Sequence, residues 1–244
     1  MDARDCCRYL SWDSEHFGVR IGRVNATRLT VALLVDIDQW ASSHSIDCLY
    51  FLAEPHPATM QLAAGVGFRF VDARTTLEAQ LPRLGCAEET KSIRPATLDD
   101  IPDLRRIAGE SHRDSRFYVD GNFPPAACDE MYRIWIERSC REPEFAGAVF
   151  VAEREHCPVG YISCRVAAEV GDIGLVAVDG KCRDLGLGAR LVYQALFWFG
   201  AQGARRVTVV TQGSNVPAQR LYQKSGFLVS SVQLWHHRWF RRET

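Results

Sequence analysis

Two rhythms of apolar and polar positions run through this chain, and the switches between them lay out its elements. CLYFLAE (48–54) is a continuous apolar run of strand length, the pattern of a buried strand. TMQLAAGVGF (59–68) predicts a short helix ended by glycine, and a further strand follows through Thr75 to Leu81. Pro, Gly and charge then replace the apolar pattern in LPRLGCAEETKS (81–92), which predicts a linker. It divides the chain into a small amino-terminal α/β half, residues 1–88, and a larger domain, residues 93–244.

After the linker a short strand is expected. Thr97, with Asp100 three residues on, then marks the start of a helix bearing Ile101, Leu104 and Ile107 at helical spacing. FYVDGNFPPAACD (117–129) reads as a loop and MYRIWIERSC (131–140) as a second helix. Strands are expected near 149–153, 159–166 and 171–178. A glycine turn leads into a helix over 188–203, whose stripe of Val192, Leu196 and Phe199 belongs against a sheet. The strand RRVTVVT (205–211) precedes a helix over 215–225 with Asn215 as N-cap, Pro217 in its first turn and Gly226 past its end. A terminal pair of strands is expected over 227–240.

A formal charge of -1 gives no general attraction to nucleic acid or to an acidic membrane, and the closing Arg238, Arg241 and Arg242 read as a solvated end. Nine cysteines without a CxxC pair argue against a metal site and for reduced thiols. MDARDCCRYL lacks the apolar core of a signal peptide, and no run approaches eighteen apolar residues. A cytoplasmic protein outside the membrane is expected.

The chemistry gathers around CRDLGLGARL (182–191), which follows the apolar GLVAV (174–178). Glycines between a strand and a helix either make a tight turn or expose backbone N–H groups to an anion. The dinucleotide pattern fails, because Leu191 stands at the third glycine position and the next strand ends in Thr211 and Gln212 rather than an acid. The P-loop pattern fails at Gly180, Lys181 and Cys182.

What remains is R-x-x-G-x-G at Arg183, Gly186 and Gly188, then N-x-x-A-x-x-x-Y at Asn215, Ala218 and Tyr222, and G-F at Gly226 and Phe227. In these residues the chain resembles the GNAT acetyltransferase superfamily. The resemblance implies a mixed, splayed central sheet flanked by helices, with acetyl-CoA as co-substrate and no metal. It implies that Arg183 and the backbone of Leu185, Gly186, Leu187, Gly188 and Ala189 hold the pyrophosphate, with Asn215 nearby. Backbone N–H groups at Val176 or Val178 would meet the thioester oxygen.

A narrower resemblance, to the dTDP-fucosamine acetyltransferases, is carried by LSWDSEHFGVRIGRV (10–24), GFRFVD (67–72), SRFYVD (115–120), WIERSC (135–140) and TQGSNVPAQRLYQKSGFLVSSVQLWHHRW (211–239). It implies an acceptor that is a nucleotide-linked amino-deoxy sugar, with the amino-terminal half contributing to its site. Tyr222 would protonate the leaving thiolate; otherwise it is a core aromatic on a stripe with Ala218, Leu221 and Ser225. Asp72 would take the amine's proton; otherwise it is a solvated turn residue. Arg116, Phe117 and Tyr118 would meet the nucleotide-sugar; otherwise they are a helix-end cluster. Asp13 and Glu15 read as turn or cap residues, and His236 and His237 as structural. An acetyltransferase of peptide amines and a non-catalytic acyl-CoA sensor are the rival functions, and a homodimer is an allowed assembly.

Overall fold

The computed structural model describes residues 6–81 and 92–240. Its strands are β1 (Cys7–Tyr9), β2 (Ile21–Val24), β3 (Cys48–Ala53), β4 (Arg69–Gln80), β5 (Ile93–Pro95), β6 (Ala148–Arg154), β7 (Cys157–Ala167), β8 (Val170–Val178), β9 (Arg206–Gln212) and β10 (Leu228–Trp239). Its helices are α1 (Ser11–Phe17), α2 (Val31–Ser43), α3 (Pro57–Gly65), α4 (Ile101–Glu110), α5 (Arg116–Asp120), α6 (Pro125–Arg141), α7 (Leu187–Ala201) and α8 (Val216–Lys224). The strands form one mixed, open sheet in the order β1-β2-β3-β10-β4-β9-β8-β7-β6-β5, with β2–β3 and β8–β9 parallel.

The last strand decides how the sheet is assembled. β10 lies between β3 and β4, so β1, β2 and β3 reach the remaining strands through it. The strand pair expected over 227–240 is therefore one strand of 12 residues. Polar SSVQ in its middle has turn-like composition, but β4 pairs with it at Ser231, Val232 and Gln233, and β3 takes the other edge from Leu234 onward. A register shift between Val229 and Ser231 takes up the irregularity instead of a reversal. The linker expected at 81–92 falls mostly outside the described residues.

Helices cover both faces. On one face α7 and α8 pack Leu191, Val192, Phe199 and Tyr222, with Phe227 from the turn after α8, against Leu77, Ile162 and Val207 of the sheet. On the other, α4, α5 and α6 pack Leu104, Phe117, Met131 and Ile136 against Tyr50, Val151 and Tyr161. Strand alternation divides β3 between the two, since Cys48 and Tyr50 point to the α5 side while Leu49, Phe51 and Ala53 meet α2 and α3.

The segment read as a loop, 117–129, is largely helical. Phe117 and Phe123 are both buried, which holds α5 and the turn at Gly121 (φ 76°) down on the sheet. Pro125 then starts α6 at the first helical position, where a missing N–H costs nothing. Thr97 and Asp100 form the expected capping box, and Asp100 also takes both Arg94 Nη atoms at 2.7 and 2.8 Å. Those bonds hold the Asp100 carboxyl down at about 2. Arg238 is more than a solvated end: it donates to Asp38 at 2.6 Å and lies over Phe240. Arg241 and Arg242 lie outside the described residues. Among the described residues no helix is long and apolar enough to cross a membrane.

Candidate active site

β8 and β9 run parallel from Val170 opposite Arg206 to Ile173 opposite Val209, and then part. β9 stays with β4 as far as Gln212 opposite Arg74, and β8 stays with β7 as far as Val178 opposite Gly160. A wedge is left between 174–178 and 210–212. Its cause is local: the β7–β8 register slips between Ile162 and Cys164, and the freed Leu175 N–H donates to Ser163 Oγ at 2.8 Å. A Cβ on Gly174 would sit 2.8 Å from that same oxygen, so a side chain there would push the Ser163 hydroxyl out of this bond. Val176 and Val178 lie on the β8 edge of the wedge. With no partner strand on that side, every second backbone N–H is free to meet a polar group.

The chain leaves β8 through Asp179, which accepts from Lys181 N, and reaches α7 by exposed Arg183, Asp184, Leu185 and Gly186. The structure gives the two glycines separate reasons. Gly186 (φ 73°) is left-handed, and nothing would lie within 4 Å of a Cβ there. A Cβ on Gly188 would come within 3.3 Å of Leu221 on α8, so that glycine lets two helices approach. α7 has no side-chain cap. The N–H groups of Leu187, Gly188 and Ala189 are therefore the uncapped first-turn donors of a helix, a charge distribution that fits the diphosphate of a coenzyme.

Asn215 spends its side-chain oxygen on capping α8, accepting from Ala218 N at 3.1 Å. Tyr222 is buried beside Phe227, and its hydroxyl has no hydrogen-bond partner among the described residues. Burial raises its phenol pKa, which keeps the proton on the oxygen as an acid needs.

Asp72 lies on the other face of the sheet. It pairs in register with Trp235, which packs on the α5 side, and two residues on Arg74 pairs with Gln233. Burial raises the Asp72 carboxyl to about 6, against the opposing field of Arg116. Arg116, at the start of α5, has its guanidinium 4.3 Å from the Trp235 ring, 4.8 Å from Tyr50 and 4.0 Å from Phe117. Its Nε, Tyr50 Oη and His237 Nε2 are buried without a hydrogen-bond partner among the described residues. Of its two predicted companions, Phe117 is sealed in the core and Tyr118 donates to Asp129 at 2.7 Å. His237 donates to Asp120, which also accepts from Trp239 Nε1, so both members of that pair are engaged in packing β10 onto α5.

Residues 110–227 match the acetyltransferase (GNAT) family model. That stretch is a GNAT acetyltransferase domain. The chain is 28% identical to the dTDP-fucosamine acetyltransferase of Escherichia coli O6:H1 over 98% of this chain and 100% of that one. A mycothiol acetyltransferase of Thermobispora bispora is 27% identical, aligned over 75% of this chain and 62% of its own length. A GCN5-related N-acetyltransferase from Sphaerobacter thermophilus shares the fold at a TM-score of 0.68 and 18% identity, covering 98% of this chain and 77% of that chain. The GNAT fold implies acetyl-CoA as the donor.

In this acetyltransferase the structure also brings forward groups that the sequence did not single out. Asp13, read as a turn or cap residue, sits in the first turn of α1, where burial raises its pKa against the fields of Arg116, His16 and Arg23. The Trp12 ring lies 5.9 Å from Trp135 and the Phe17 ring 4.5 Å from Phe123, each tilted, so the W-D-x-x-x-F-G block seats α1 beside α5 and α6 with Asp13 in the field of Arg116. Exposed Glu15 stays outside this cluster. Arg8, Arg23 and Arg74 also face the α5 side. Their signal was present as charges on one face of β1, β2 and β4, a pattern that reads as an ordinary solvated face until the opposite sheet face is known to be covered.

Proposed function

We propose that this acetyltransferase moves an acetyl group from acetyl-CoA to the amine of a nucleotide-linked amino-deoxy sugar, of the dTDP-4-amino-4,6-dideoxy-galactose type, by direct transfer. The observation that carries the reading is the alignment with a dTDP-fucosamine acetyltransferase over essentially the whole of both chains, the amino-terminal half included. That half carries Asp72 itself, on β4, and shares one sheet with the strands of the larger part.

Acetyl-CoA supplies the activated acyl group. The backbone of Leu185 to Ala189, with Arg183, binds its diphosphate, and the β8 edge at Val176 and Val178 donates to the thioester oxygen. Asp72 and Tyr222 divide the proton traffic across the sheet. With its pKa near 6, Asp72 is ionised at neutral pH and accepts the amine's proton on the α5 face. Tyr222, kept protonated by burial, donates to the thiolate from the α8 side, and the wedge is the breach that joins the two faces.

The test is a screen that detects free thiol from acetyl-CoA, run against dTDP- and UDP-linked amino sugars and a lysine peptide. Turnover with the sugars is expected. Turnover with the peptide alone overturns the substrate reading, and acetyl-CoA binding without turnover on any amine returns the protein to a sensor.

A further inference from the structure

On the α5 face of the sheet a cavity of about 420 Å³ is lined by Arg8, Arg23, Arg74, Gln233 and Trp235 among others, and no Asp or Glu lines it. Register puts the three arginines on one face: Arg8 is opposite Arg23, Arg23 beside Tyr50, and Arg74 opposite Gln233. Their contacts are with neutral groups. Arg74 donates to Thr76 Oγ1 and Gln233 Oε1, and Arg23 lies 5.1 Å over the Trp235 ring. Elsewhere the chain pairs its arginines closely, as in Arg94 with Asp100, Arg105 with Glu137 and Arg138 with Glu142. Among the described residues no carboxylate comes within ion-pair distance of Arg8, Arg23 or Arg74. Burial, with the fields of Arg8, Arg116 and Arg74, lowers the Arg23 pKa against the opposing field of Asp13, as expected where like charges crowd together.

We propose that this cavity binds the diphosphate of a nucleoside diphosphate, held by Arg23 and Arg74 with Arg8, as the anchoring subsite of the acceptor. The proposal rests on the nucleotide-sugar reading above. Guanidinium forks match phosphate oxygens two at a time, and a group with several anionic oxygens is what three convergent arginines can share. The volume exceeds that of a diphosphate alone and leaves room for the attached nucleoside. Position links it to the chemistry. Asp72 precedes Arg74 by two residues on β4, about 7 Å along the same face, and β9 with the wedge beyond it is the next strand. A diphosphate at the arginines therefore presents the sugar it carries to Asp72.

The experiment is calorimetric titration of wild type, Arg23→Gln and Arg74→Gln with dTDP, UDP, inorganic diphosphate, thymidine and acetyl-CoA, with a melting curve of each free protein. Binding of dTDP and UDP but not thymidine is expected, weakened about 10- to 100-fold in each variant, with acetyl-CoA affinity unchanged. Removing one of several crowded like charges should leave the melting temperature unchanged or raised. If both variants melt lower and bind dTDP normally, the arginines are structural and the proposal falls. It also falls if wild type binds none of the diphosphates, or if acetyl-CoA affinity drops by the same factor, which would assign the cavity to the coenzyme. Acetylation of a nucleotide-sugar with unchanged KM in both variants overturns the subsite and leaves the acceptor reading intact. Arginine-dependent binding of dTDP with no sugar acetylated supports the subsite and overturns the acceptor reading.

Discussion

On the α7 side of the wedge the candidate groups are main-chain amides, the Arg183 side chain and one phenol, delivered by the single stretch from Gly174 to Tyr222. On the α5 side they are charged side chains, Arg8, Asp13, Arg23, Asp72, Arg74 and Arg116, carried by β1, α1, β2, β4 and α5. The first set is made by local backbone conformation: a bulge opposite Ser163, a left-handed Gly186 and an uncapped helix start. The second is made by convergence, and it converges because β10 ties β3 to β4. A short motif can specify the first kind of site. It cannot specify the second, because each charge is an ordinary surface residue until its neighbours in space are known.

The comparison is broken most severely at Tyr222. Tyr222→Phe should lower kcat by about 10²- to 10⁴-fold if the phenol is the acid. Because the hydroxyl has no hydrogen-bond partner among the described residues, its melting temperature should hardly move. Near-wild-type kcat would make Tyr222 a packing residue and leave the α8 side with backbone groups alone.

Asp72→Asn probes the other face. Activity should fall by about 10²-fold and lose its acid limb. The sign follows from the raised pKa: Asp72 must be ionised to accept a proton, so wild-type kcat/KM should decline as pH drops through about 6. In the same window the folded protein binds a proton the unfolded chain does not, so this group favours folding more as pH falls from about 6 toward 4. A wild-type pH profile in the variant would remove Asp72 from the reaction.

Gly186→Val and Gly188→Ala separate the two glycines, with smaller effects. At Gly186 a β-branched residue is forced to a positive φ, and both the presentation of the α7 amides and the fold should suffer: acetyl-CoA affinity about 10-fold weaker and stability lower by about 1–2 kcal/mol. At Gly188 the added methyl meets only the tip of Leu221, which can give by a few tenths of an ångström, so acetyl-CoA affinity should be nearly unchanged. Calorimetry with both variants checks this, and equal losses would mean that each glycine makes room for the coenzyme.

The smallest expected effect on activity is at Asp100, distant from both sets. Asp100→Asn should lower stability by about 2 kcal/mol, through the capping box and the Arg94 bonds, and leave kcat/KM alone. Because Asp100 has a depressed pKa, its contribution is present above about 4 and is lost as pH falls toward 2. A melting temperature that keeps its usual acid dependence in the variant would contradict the assignment.

Much of the fold was legible. The strand at 48–53, the capping box at Thr97, the stripe on α7 and the Asn215 cap all follow local rules of periodicity and hydrogen bonding, and the structure carries each of them. The misreadings came where tertiary context overrides composition. SSVQ looks like a turn but is held in a strand by pairing with β4, and FPPAACD looks like a loop but opens a helix, with Phe117 and Phe123 buried beside it. Of the candidate site, the glycine turn and Tyr222 were visible through motif spacing, and Asp72 only through the narrower resemblance, since a lone Asp otherwise reads as a turn residue and the structure puts it inside β4. Arg8, Arg23 and Arg74 were not, and Asp13 was visible only as a helix-start residue.

The sequence by itself determined the donor side, because a glycine turn between a strand and a helix fixes φ angles and leaves amides free within a span of a few residues. Only the tertiary structure decided the acceptor side. Which face of each strand a charge occupies depends on register, and the register of β1 to β4 depends on a strand that begins at Leu228, about 150 residues after Asp72.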